Sequence, residues 1–152
     1  MLVTDLLTPG ELAGVTATVV DNNPGMNEAL AGRIVAEALK FVATAARHPQ
    51  APIAPSRVVD EGWHALILHT APYRRVCGAL GAFVDHYPER PDADRQGADV
   101  IERTLDLLRA DGHDPDLPLW TTPVDNHIPV AAQCGHAPRC GIGPKDPELV
   151  PA

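Results

Sequence analysis

The stretch "VVDEGWHALILHT", residues 58–70, decides how this chain folds. Its apolar residues recur at the three- and four-residue spacing of a helix, without the alternation of a half-buried strand. On a wheel of about 100° per residue with Asp60 at zero, His64 falls at about 40°, Ile67 at about 340° and Trp63 at about 300°. Val59 and Leu66 fall beside Trp63, whereas His69 lands at about 180°, on the far side. The segment is therefore a helix with a carboxylate and an imidazole, one turn apart, on the border of its apolar face.

Ser56 is the expected N-cap of this helix, which runs to about His69. "TAP" at 70–72 ends it, because the residue before a proline avoids the helical region. Pro72 then opens another helix carrying Tyr73, Val76, Cys77, Leu80 and Phe83. So short a turn predicts an antiparallel hairpin. Folding the chain about residue 71 sets Cys77 against His64 and returns His86 to the start of the first helix. Asp60, His64, Cys77 and His86 then share one seam, a ligand set suited to Zn, Cu or Fe.

Upstream, "TPGEL" opens a helix: Thr8 caps it, Pro9 suits its first turn and Glu11 completes a capping box. Leu12, Val15 and Val19 form its apolar stripe, and "DNNPG" ends it. Asn23, before Pro24, is expected to start a longer helix to about Ala46, with Leu30, Ile34, Ala38, Phe41, Val42 and Ala45 facing inward. Downstream of "DHYPERPDAD", a further helix spans roughly 95 to 110. Val100, Ile101, Leu105 and Leu108 face inward there, and Gly112 stops it. The fold class is all-α, a small helical bundle, with residues 1–112 as its helical part. Residues 113–152 hold 8 of the 16 prolines and show no period, which predicts an irregular C-terminal wrap packed on that bundle as part of a single domain.

With 152 residues the chain is long enough for one real core, and 45% apolar content argues against disorder throughout. A net charge of −8 without a Lys/Arg cluster argues against nucleic acid and anionic membranes as partners. The start of the chain has no basic, apolar leader, and no segment approaches the ~18 apolar residues of a membrane span. A cytoplasmic location is expected, in which the 3 cysteines are thiols, ligands or core fillers.

The tail offers a second cluster. "CGHAPRCG" brings Cys134, His136 and Cys140 close together, a pattern suggesting a metal, with His127 or the His64 seam as a further donor. It is not a standard finger, since it lacks a C-x-x-C pair. Plainer readings stand beside these: an ordinary (i, i+4) pair for Asp60 and His64, a buried thiol for Cys77, incidental residues in a loose tail, and surface positions for His48 and His69. A Cys77–His64 nucleophile pair ranks below metal binding, because no oxyanion donor is identifiable. No phosphate-binding glycine loop and no G-x-S-x-G is present.

The run "PSRVVDEGWHALILHTAPYRRVCGALGAFVDHYP" resembles the actinobacterial glycine-rich domain-containing protein-like family, related to a domain of plant glycine-rich proteins. The resemblance is carried by Asp60, Trp63, His64, Tyr73, Cys77, His86 and Pro88, with "ALKFVATAA" before and "LPLWTTP" after, and covers roughly residues 8 to 140. It implies a Cys/His-rich closing segment, matched by Cys134, His136 and Cys140. The chain departs from that pattern in the single His of "VDHYP" and in its sparser tail cysteines.

The resulting expectation is a small metalloenzyme using Zn, Cu or Fe on a small molecule or peptide. His64, His86, Cys134, His136 and Cys140 would be its metal ligands, and Asp60, His64 and Cys77 its catalytic groups. Asp60 either ligates or orients a histidine ring. The alternatives are a non-catalytic module whose metal pins the tail, and a metal-free helical interaction domain.

Overall fold

The computed structural model describes residues 2–89, 98–120, 128–130 and 135–136, with 88–89 and 135–136 through their backbone alone. After a short 3-10 turn at Val3–Leu6 come helices α1 (Pro9–Asn22), α2 (Glu28–Arg47), α3 (Arg57–Leu68), α4 (Thr70–Leu80) and α5 (Ala98–Ala110). The fold is a small all-α bundle. A two-residue antiparallel ladder joins β1 (Pro88–Glu89) to β2 (Gly135–His136), with Pro88 opposite His136. No described helix is long and apolar enough to cross a membrane.

The axis of the bundle is α2, which packs against α1, α3, α4 and α5. Twelve of its 20 residues are buried, five of them alanines. Few large side chains are available, so the helices must approach closely to fill space at native density. Gly62 shows how closely: a Cβ there would stand 2.7 Å from the Ile34 carbonyl oxygen. Trp63 and Phe41 fill the gap beside this contact, their ring centroids 5.1 Å apart.

The caps follow local chemistry. Thr8 Oγ1 accepts the Glu11 amide at 3.3 Å while Glu11 Oε2 accepts the Thr8 amide at 2.8 Å, closing the capping box. Ser56 Oγ accepts the Val59 amide at 3.1 Å and donates to the Leu119 carbonyl at 2.6 Å, so the cap of α3 also ties down the C-terminal chain. The start of α2 differs from the expectation. Asn23 closes α1 instead, its amide bonding Val20 O at 3.1 Å. Gly25 then turns the chain at φ +93, and Asn27 caps α2 by accepting the Leu30 amide at 2.8 Å. The left-handed turn at glycine separates two equally good cap residues.

Helix α4 begins at Thr70, two residues before Pro72, which sits in the first turn where a missing N–H is harmless. It ends at Gly81, in the left-handed conformation at φ 83, so Phe83 lies beyond the helix and is exposed. The expected start of the last helix, near 95, lies outside the described residues.

Residues 113–120 form a belt across α2. Arg33 grips Asp116 with two bonds of 2.7 and 2.9 Å, Lys40 Nζ donates to Asp114 O at 2.6 Å, and the buried Trp120 donates its indole N–H to Glu37 Oε2 at 2.7 Å.

Candidate functional site

Asp60 lies in the first turn of α3, where the exposed amides of a helix start favour a negative charge. Its side chain is wholly buried. An unpaired buried carboxylate is too costly to persist, so its neighbours matter. His64, one turn on, places Nε2 3.3 Å from Asp60 Oδ2. His86, from the chain after α4, places Nε2 3.1 Å from Asp60 Oδ1. Each carboxylate oxygen therefore faces an imidazole nitrogen. One donor atom from each of the three residues fits within 4.8 Å of the other two, the one such group among the described residues.

Ring packing holds this arrangement. The His86 ring packs on both Trp63, at a centroid distance of 4.6 Å, and His64, at 4.5 Å. His86 is 10% exposed and His64 29%, so the opening to solvent is on the His64 side. Burial pushes the His64 pKa below its ordinary value, and His86 adds to the shift, while Asp60 and Glu61 oppose it.

Cys77 is not a member of the cluster. The hairpin has no loop, since His69 ends α3 and precedes α4 directly, and α4 packs on α2 as well as α3. The phenol of Tyr73, one turn before Cys77, meets α3 at Trp63 instead. It receives the Trp63 indole N–H at 3.1 Å and donates to the Val84 carbonyl. Cys77 is buried beside Tyr73 and Val84, and burial pushes its thiol pKa up, which disfavours the thiolate a nucleophile or ligand needs. Burial also raises the Tyr73 pKa.

Of the tail candidates, His127, Cys134 and Cys140 lie outside the described residues. His136 is described only through its backbone, opposite Pro88, which lies two residues after His86. The two histidines expected at the surface are half-buried. His69 Nε2 bonds Thr18 Oγ1 at 2.8 Å, and His48 Nε2 bonds Asp111 Oδ1 at 2.9 Å. Both follow a helix end, where the wheel no longer sets direction.

Sequence reasoning missed Glu61 and Glu37. Glu61, next to Asp60, is buried and accepts from Asn23 Nδ2 at 2.9 Å. Glu37 is buried between Lys40 and Trp120. Both read as solvent-side charges, and only a polar partner elsewhere in the chain marks them as interior.

No curated protein and no solved structure matches the chain. The resemblance to the glycine-rich domain family does not hold: the family that matches, over residues 12–108, is a different one. The residues that carried that resemblance, Asp60 to Pro88, have the spacing of any buried helical hairpin with a polar seam, and this does not separate one family from another. Spanning well over half of the sequence, the match shows that the chain belongs to the UCP032817-like family.

Proposed function

We propose that Asp60, His64 and His86 hold one divalent transition-metal ion, and that the protein is a small metalloenzyme acting on a small molecule. One observation carries this reading: two imidazole nitrogens stand 3.1 and 3.3 Å from the two oxygens of one buried carboxylate. Ligands about 2.0–2.2 Å from a metal at tetrahedral to octahedral angles stand roughly 2.8–3.6 Å from one another. Two histidines and one carboxylate leave coordination positions open, the donor set of zinc hydrolases and of non-haem iron oxygenases. Bound zinc or iron would supply Lewis acidity or redox chemistry, respectively. Access past the partly exposed His64 suits a small substrate. The setting of this reading is a reducing compartment, in which the three cysteines stay free of disulfides.

A structural metal that pins the tail is the second reading. It is favoured by the β1–β2 ladder, which sets the His136 backbone opposite Pro88, two residues from His86.

The test is elemental analysis and cobalt titration of tag-free protein, with Asp60→Asn and His64→Ala as variants. About one ion per chain, lost in both variants, is the expected result. If the wild type takes up no zinc, iron, copper or cobalt on reconstitution, Asp60 and its two histidines are a metal-free hydrogen-bonded cluster.

A further inference from the structure

Asp60 and His64 are placed by a helix, but His86 is not: it lies in an irregular run between the end of α4 and β1. A ligand on such a segment binds weakly unless something else fixes it, because its ordering opposes binding. Three contacts do this. Gly81 reverses the chain, with the Ala82 amide bonding Cys77 O at 3.1 Å. The Tyr73 hydroxyl then grips the carbonyl of Val84, two residues before His86, and Val84 is fully buried. The same hydroxyl accepts the Trp63 indole N–H at 3.1 Å, and the Trp63 ring lies 4.6 Å from the His86 ring. One oxygen atom thus joins the backbone that delivers His86 to the ring that orients it.

We propose that Tyr73 is the positioning residue of the site: its hydroxyl, bonded to both Val84 and Trp63, presets the place and ring plane of His86. Cys77 packs beside this junction as part of its wall. The inference rests on the metal reading, and it gives Tyr73 and Trp63 a task in that site beyond filling the core.

The test is a double-mutant cycle in cobalt affinity, with the cobalt d–d spectrum recorded for each protein: wild type, Tyr73→Phe, His86→Ala and the double variant. Removing a group that orients a ligand costs about 10–100-fold in metal affinity. Tyr73→Phe should lose that much and alter the spectrum, and the loss should shrink to within about threefold once His86 is gone, because coupling through a shared partner makes the effects non-additive. An equal loss in both backgrounds would reduce Tyr73 to a general packing residue. An unchanged affinity and spectrum in Tyr73→Phe would overturn the proposal outright while leaving the metal reading intact. Absence of cobalt binding by the wild type would instead remove the metal reading, and this inference with it.

Should Tyr73→Phe not fold, the wild type answers by hydrogen exchange. Binding and local order are reciprocally linked, so zinc should slow exchange of the Trp63 indole N–H about tenfold more than that of the Trp120 indole N–H, which bonds Glu37. Equal slowing of the two indoles, or none, would refute the link.

Discussion

Replacing Gly62 by alanine probes the contact on which the position of Asp60 and His64 depends. The new Cβ would stand 2.7 Å from Ile34 O and 3.0 Å from both Ile34 C and Ile34 Cγ2, against the 3.4 Å of ordinary contact. The opposing atoms are mostly backbone in the middle of α2, so α3 must move away by roughly 0.7 Å, an overpacking that costs about 1–3 kcal/mol. Alanine's better helix propensity returns about 0.8–1.0 kcal/mol. Gly62→Ala should therefore be destabilised by up to about 2 kcal/mol net. Gly78→Ala is the control, because a Cβ there meets nothing within 4 Å. It should be stabilised by up to about 1 kcal/mol from propensity alone. Urea unfolding followed by helical circular dichroism measures both. The shift of α3 also changes the distances of Asp60 and His64 from His86, so on the metal reading Gly62→Ala should bind cobalt more weakly and Gly78→Ala should not. A Gly62→Ala protein as stable as Gly78→Ala would show that the two helices do not touch at this point.

Three further outcomes are expected. On the proposed metal reading, His64→Ala should lose the ion, whereas His69→Ala should keep it and lose only the Thr18 hydrogen bond, with unfolding measured alongside metal content. Asp111→Asn should be destabilised at pH 7 and converge on wild type in acid. Burial raises the Asp111 pKa, but hydrogen bonds and charge from His48 and Arg47 outweigh it and hold the pKa below its ordinary value. Its stabilisation is thus present above the unfolded pKa of about 3.9 and lost as pH falls through the lower folded one, so a gap that widened in acid would contradict the pairing. Trp120→Phe should cost about 1–3 kcal/mol beyond lost packing, by leaving Glu37 Oε2 without its indole donor; double replacement with Glu37→Gln should recover part of that loss.

The all-α class, the caps at Thr8 and Ser56 and the Asp60–His64 pair were legible because each depends on residues within one turn. The periodicity that makes α3 a helix also sets the angle between its side chains, so the wheel needed no tertiary knowledge. The start of α2 was less clear, since Asn23 and Asn27 are both good caps and only the turn at Gly25 chooses between them.

What the sequence by itself determined about this protein is the set of helices and the polar border on one of them, because backbone hydrogen bonding and capping are satisfied within a few residues. Only the tertiary structure decided which groups meet that border. It set Tyr73 against Trp63 and left Cys77 out of the cluster with His64, because α4 packs on α2 as well as α3 and its rotation answers to both. It buried Glu61 through Asn23, 38 residues away, and Glu37 through Trp120, 83 residues away. A carboxylate reads as exposed until a distant partner removes the cost of burying it, and no local pattern in a single chain records where that partner will arrive.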